Sequence, residues 1–318
     1  MISSNQRLVS PIAEDVWRGL TGNPKTLPPW LFYDRIGSEL FEEITRLPEY
    51  YLTRTEHAIF DTYADEMVQA AGQGLTLIEL GAGTATKTDA VIGAVLKQQR
   101  ELTFYPVDVS PNALQVAVQH LTRKHAGLTV DPIVADYTVG VPGLEEIGGR
   151  KLLLYIGSSI GNFEPMEATA LLARLRRSLA PGDALLFGTD MVKAPSALIP
   201  AYHDAQGVTA RFNLNLLARI NRELGANFSL DAFRHVALWN ANESRMEMHI
   251  ESLKKQVVSV LDLGLSVRFA NGERIHTENS YKFTMHMICS ILQNAGFTLE
   301  RTWMDKREWF GLHLARVA

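Results

Sequence analysis

The chain has 318 residues, 46% of them hydrophobic and 21% charged, with a formal net charge of −4; this is the balance of a globular chain with a proper core, in one large domain or two ordinary ones. Its apolar runs, such as LLLYIG at 152–157, fall short of the roughly 20 residues of a membrane helix, and its basic residues are not clustered as phosphate binding requires, so neither a membrane span nor a nucleic-acid partner is expected. The N-terminal residues MISSNQRLVSPIAEDVW lack the basic start and apolar block of a secretion signal, which points to the cytoplasm, and a single cysteine, Cys289, excludes an internal disulfide and a cysteine-rich metal cage.

Thr53 and Glu56 have capping-box spacing, and Ile59, Tyr63 and Met67 recur every four residues behind them, which predicts a helix over about 54–71. Apolar runs near 75–80, 102–108, 128–134, 150–156 and 184–189 then alternate with helical patterns. Ser110 and Pro111 open one of those helices as cap and first turn, and Leu171, Leu172, Leu175 and Leu179 form the stripe of another. Such alternation predicts a parallel sheet covered on both faces. His120 and His125 are five apart, which does not align them on one helix face, so both read as surface residues rather than a metal pair. After Asp190 the rhythm breaks. A helix is expected over 208–224, with Thr209 as candidate cap, Phe212, Leu216 and Ile220 in one row and Gly225 at the stop. In RMEMHI at 245–250 the period becomes two, with Met246, Met248 and Ile250 on one face of a half-buried strand. A helix near 280–295, closed by Gly296 and holding Cys289 as an inert core thiol, precedes FTLERTW and FGLHLARV, a hairpin joined at 305–308. Five strands, an insertion of about ninety residues and two more strands describe a seven-stranded α/β core interrupted by a second domain, which the N-terminal segment helps to build.

The stretch LIELGAGTATKTDA at 77–90 is a strand followed by a glycine turn, at the place where an open α/β sheet binds its ligand. A dinucleotide fingerprint needs a third glycine where Thr86 stands, and Lys87-Thr88 lacks the preceding glycine of a P-loop. What remains is Glu79 two residues before the turn of Gly81 and Gly83, then Asp108 at the next strand end in TFYPVDVS, then Asp136 and Tyr137 in IVADY at a third. Glycines admit a flat ligand edge, a strand-end carboxylate accepts ribose hydroxyls, and Asp136 with Tyr137 suits an adenine. Taken singly, Asp108 also reads as a helix cap and Asp136 as a turn residue. In their joint order they describe an adenosine without phosphates, and the set resembles a class I S-adenosylmethionine methyltransferase.

Longer motifs narrow the resemblance. FYDRIGSELFEEITRLPEYYLTRTE at 32–56, GSSIGNFEP at 157–165, GTDMVK at 188–193, AYHDAQGVTARFNLNLLARINRELGANF at 201–228 and TENSYKF at 277–283 resemble the histidine-specific N-alpha methyltransferases of ergothioneine biosynthesis over nearly the whole chain. The resemblance implies a methyltransferase core, expected at 57–191 and 282–318, and a substrate-binding domain at 1–56 and 192–281. Its product would be hercynine, the trimethylated betaine of histidine, with S-adenosylmethionine as donor, no metal and a monomeric enzyme. It places Gly81, Gly83, Lys87, Asp108, Asp136, Tyr137 and Gly157 at the cofactor. Tyr50, Asn162 and Tyr202 would surround the backbone end of the amino acid, with Asn162 and Tyr202 on its carboxylate. Tyr33 would lie near the amine, and Met248, Glu278 and Ser280 would enclose the imidazole. Ala82 stands where serine is expected, and Tyr137 where phenylalanine is commoner. The proton acceptor stays open between Tyr33, water and solvent.

The residues also carry plainer readings. Asn162 suits a tight turn after Gly161, Met248 suits a core face, and Ser280 suits the cap of the following helix. Glu278 and Ser280 converge only if the chain there is a strand, because two residues apart share a strand face but not a helix face. The remaining alternatives are another amino-acid substrate such as tryptophan, or a nicotinamide-dependent oxidoreductase in which Thr86 replaces the third glycine.

Overall fold

In the computed structural model, residues 10 and 12–317 are described; the expectation drawn from the first residues rests largely on 1–9 and 11, outside that range. Helix α1 (Ala13–Thr21) and the short strand β1 (Lys25–Thr26) come first, then α2 (Arg35–Ile44), capped by the Asp34 carboxylate, which accepts from Gly37 N–H. Helix α3 (Tyr51–Ala71) starts earlier than its pattern indicates, so Thr53 and Glu56 lie inside it and form no capping box.

The alternating region runs β2 (Leu75–Leu80), α4 (Asp89–Gln98), β3 (Leu102–Asp108), α5 (Pro111–Lys124), β4 (Leu128–Val130), β5 (Ile133–Val134), β6 (Arg150–Tyr155), α6 (Pro165–Arg176) and β7 (Ala184–Asp190). The single strand expected over 128–134 is two, because Pro132 lacks the N–H a ladder needs; Asp131 N–H reaches Phe104 O before the break, and Ala135 N–H reaches Asp108 O after it. Ser110 caps α5 as read, its Oγ accepting from Ala113 N–H with Pro111 in the first turn. His125 is no surface residue: its ring is mostly buried, 2.9 Å from Asp89 Oδ1.

There follow α7 (Pro195–Tyr202), α8 (Val208–Leu224), β8 (Phe233–Asn240), β9 (Arg245–Ser252), β10 (Gln256–Val260), β11 (Leu265–Phe269) and β12 (Arg274–Tyr281). Helix α8 is capped by Asp204, which takes Val208 N–H and Thr209 N–H at 2.9 and 2.8 Å, so Thr209 is not the cap; Gly225 ends it at φ +60°. The chain closes with α9 (Met285–Asn294), β13 (Phe297–Met304) and β14 (Phe310–Val317). The cap of α9 is Thr284, and residues 274–281 are strand, so the helix begins after Ser280. Cys289 lies on its exposed side, not in the core.

By contacts the chain forms two compact units, one of Met1–Tyr51 and Ala194–Ser280, the other of Leu52–Lys193 and Tyr281–Ala318. The second holds a sheet of eight strands, one more than expected because of the break at Pro132, in the order β13-β14-β7-β6-β2-β3-β4 with β5 also on β3. All pairs are parallel except those of β14, which runs antiparallel to β7 and β13. Successive residues feed opposite faces: Leu77 and Leu152 join one apolar cluster, Ile78 and Leu153 the other. In the first unit the sheet β1-β12-β9-β8 is covered on one side by α8. Asn213 of that helix is fully buried, donating to His249 O at 3.0 Å and accepting from Thr277 Oγ1 at 2.9 Å. Among the described residues no helix is long and apolar enough to cross a membrane.

Candidate active site

At the turn after β2, Gly81 and Gly83 have φ of +66° and +53°, a region L side chains rarely adopt. A Cβ on Gly81 would meet the Tyr137 ring at 3.4 Å, whereas one on Gly83 would meet nothing within 4 Å, so the turn presents bare backbone to an open side. Asp108 binds this turn to its own strand end: Oδ2 accepts from Gly83 N–H at 2.9 Å, and Oδ1 from Ser110 N–H at 2.8 Å. A carboxylate oxygen with one donor retains acceptor capacity, so Asp108 can hold the turn and still take a hydroxyl. Asp136 is exposed and closes an Asx turn, accepting from Thr138 N–H and Oγ1 at 2.8 and 2.6 Å. The neighbouring Tyr137 ring stands edge-on to Tyr155 at 5.5 Å, and burial holds its phenol above the usual range. Gly81, Gly83, Asp108 and Tyr137 are thus brought together, with Asp136 next in chain.

Lys87 and Gly157 meet through Glu56, which sequence reasoning missed. Its side chain is 1% exposed; Oε1 accepts from Gly157 N–H at 2.7 Å and Oε2 lies 3.3 Å from Lys87 Nζ. Gly157 has φ +77°, and a Cβ there would approach Lys87 Nζ to 3.1 Å. The signal was present in the sequence: Glu56 falls on the stripe of Ile59, Tyr63 and Met67, and an acid on an apolar face needs a buried partner. Glu79 is also buried, under the turn. Burial pushes its carboxyl up to about 8, and the Thr88 hydroxyl donates to it. It is therefore chiefly a neutral acid at pH 7, bracing the loop before α4.

Asn162 ends a 3-10 turn, Ser159–Asn162, that follows Ser158 at φ +60°. The turn is pinned from two sides, since Ser158 Oγ accepts from Asp190 N–H at 2.8 Å and a Cβ on Gly161 would lie 2.9 Å from Tyr281 O. A fixed backbone just beyond β6 therefore presents the Asn162 amide, which both donates and accepts.

The other predicted residues belong to the first unit. Tyr202 and Ser280 meet, Oη to Oγ at 2.7 Å, in buried surroundings. Behind them His235 Nε2–H donates to Tyr202 O at 2.8 Å while its Nδ1 accepts from the Asn213 amide at 2.9 Å; burial lowers this histidine to about 4, so it stays neutral. Met248 is buried on β9, its carbonyl accepting from Thr277 Oγ1 at 3.0 Å, one residue before the half-buried Glu278. Because 274–281 is strand, the condition for Glu278 and Ser280 to converge is met. Tyr33, 46% exposed, stands edge-on to Phe41 and Phe212 at 5.9 and 6.1 Å, and Phe41 stands edge-on to Tyr50 at 6.2 Å. Tyr33 and Tyr50 so share one aromatic cluster, whose π-faces suit a cationic nitrogen.

Comparison with known proteins agrees with this chemistry. The family model described as "Histidine-specific methyltransferase, SAM-dependent" matches residues 12–317. A histidine N-alpha-methyltransferase of Mycolicibacterium smegmatis is 44% identical over 96% of this chain and 94% of its own length; one of Mycobacterium tuberculosis is 42% identical with the same coverage. Ergothioneine biosynthesis protein 1 of Neurospora crassa is 30% identical over 92% of this chain, which spans 33% of that longer protein.

Proposed function

From the premise that the chain belongs to the S-adenosylmethionine-dependent, histidine-specific methyltransferase family, we propose that it methylates the α-nitrogen of L-histidine three times in succession. The product is hercynine, a step in ergothioneine biosynthesis, and the enzyme acts as a cytoplasmic monomer. The observation that carries this reading is the likeness to two histidine N-alpha-methyltransferases over 96% of the chain. The sheet has the class I methyltransferase order, with β14 antiparallel among parallel strands.

In this reading the unit containing the parallel sheet holds the donor, and the other unit supplies every residue assigned to the amino acid except Asn162. The open side of Gly83 and the remaining acceptor capacity of Asp108 suit an adenosine, with Asp136 and Tyr137 at its base and Lys87 and Gly157 at its amino-acid end. S-adenosylmethionine supplies a methyl group on a positive sulfur, which a neutral amine displaces without a protein nucleophile or a catalytic metal. The chain's work is alignment. Asn162 and Tyr202 hold the histidine carboxylate, Tyr50 closes the backbone end, and Met248 and Ser280 pack and orient the imidazole. Glu278 accepts the imidazole N–H. The α-ammonium proton leaves at the Tyr33 hydroxyl, whose exposed side chain passes it to solvent. As methyl groups accumulate, the aromatic cluster of Tyr33, Phe41 and Tyr50 receives the growing cationic head.

The test is to incubate the purified chain with methyl-labelled S-adenosylmethionine and a panel of free amino acids, and to weigh the products. Mono-, di- and trimethylhistidine appearing in turn is expected. Methylated tryptophan in their place, or no transfer to histidine, would remove the reading.

A further inference from the structure

On β9, Glu247 and His249 are two residues apart and share the face opposite the buried Met246, Met248 and Ile250. His276 lies between the buried Ile275 and Thr277 on β12, the next strand in the sheet, and so turns to that same face. One ligand atom from each of the three side chains lies within 4.8 Å of the others. The two imidazoles stack at 4.8 Å and 26°, and Glu247 Oε2 lies 3.1 Å from His249 Nε2. Asn240 and Arg245 occupy the other oxygen of Glu247 at 2.9 and 2.8 Å, which fixes the carboxylate and leaves Oε2 directed at the histidines.

The hydrogen bonding of this cluster is incomplete. His276 Nε2 lies 3.0 Å from Glu278 O, an oxygen that only accepts, so Nε2 carries the proton and Nδ1 keeps its lone pair. His249 Nδ1 is buried with no hydrogen-bond partner. A polar atom buried in that state is costly unless something satisfies it, and two imidazoles with a carboxylate are a donor set that zinc takes. We infer that Glu247, His249 and His276 form a binding site for a divalent transition metal of the zinc class. Tetrahedral bonds of about 2.0–2.2 Å ask for donors about 3.3 Å apart. Donor atoms of the three side chains lie within 4.8 Å of one another, and a turn of the imidazoles about χ2, a broad torsion, is the adjustment that an ion at His249 Nδ1 would require. The side chains of Glu247 and His249 are 13% and 12% exposed, enough for an ion to enter and for water to complete its shell.

The experiment uses the full chain without a histidine tag, dialysed free of L-histidine, which itself chelates zinc. Calorimetric titration with zinc chloride should give one equivalent in the wild type. His249→Ala and His276→Ala should each weaken it at least tenfold, roughly the loss that accompanies a removed ligand or its orienting partner. As a check independent of how the variants fold, cobalt(II) added to the wild type should give visible d–d bands of a nitrogen–oxygen site, and zinc should displace them. An isotherm unchanged in a folded His249→Ala/His276→Ala variant, or absent bands in the wild type, would overturn the site.

Discussion

Glu56 shows how much one buried charge can organise. A lone carboxylate taken from water into a core is strongly disfavoured, and this one is compensated by a backbone N–H on one oxygen and an ammonium beside the other. Glu56→Gln keeps an acceptor for Gly157 N–H but removes the charge that holds Lys87. S-adenosylhomocysteine binding measured by calorimetry should weaken about tenfold, or about 1.4 kcal/mol, and an unchanged affinity would separate Glu56 from the donor site. Glu278→Ala should raise the KM for histidine about tenfold to a hundredfold, the worth of a charged hydrogen bond, with S-adenosylhomocysteine binding untouched. Glu79 carries a pH signature. Its carboxyl is raised by burial from an ordinary 4.5 to about 8. Below about 4.5 both folded and unfolded chains hold the proton; above it the unfolded chain sheds a proton that the folded one keeps, so stability falls as pH rises toward about 8. Glu79→Gln lacks that loss. Its melting temperature should gain on the wild type steadily across this window, and parallel curves would contradict the assigned shift.

Among the elements, the caps and breaks decide what the periodicities leave open. Thr209 and Ser280 each stand where a cap is plausible by composition, yet Asp204 caps α8 from four residues before its start and Thr284 caps α9. A short polar side chain is eligible for such a place wherever it falls; the backbone N–H groups it can reach select the one that serves. With two N–H groups on its carboxylate, Asp204→Ala should cost about 1–2 kcal/mol in denaturant unfolding, while Thr209→Ala should cost less. The consequence for the site is direct. Because α9 starts at Met285, Glu278 and Ser280 stay on a strand, and Ser280 reaches the Tyr202 hydroxyl instead of a helix terminus.

Over the whole molecule, the residues assigned to the donor lie in one compact unit and those assigned to the substrate, Asn162 excepted, in the other, so their ligands should leave different footprints. Hydrogen exchange read by mass spectrometry should show S-adenosylhomocysteine protecting amides near 79–83, 108–110, 136–138 and 157, and L-histidine protecting those near 202, 248 and 276–280. Protection by S-adenosylhomocysteine confined to 194–280 would contradict the assignment. Each ligand should also stabilise the fold by mass action, by about 2.7 kcal/mol at a hundred times its Kd, which a rise in melting temperature reads out.

Local patterns alone determined the strand and helix alternation, the glycine turn, the three acids at successive strand ends and the period-two strand carrying Met248. Each of these depends on residues near in sequence, where side-chain direction follows from backbone geometry. What only the tertiary structure decided was which polar groups met: Glu56 with Gly157 and Lys87 across 101 and 31 positions, Tyr202 with Ser280 across 78, and His249 beside His276. Those partners are far apart along the chain, and the desolvation that makes each contact strong exists only once the intervening chain has folded around it.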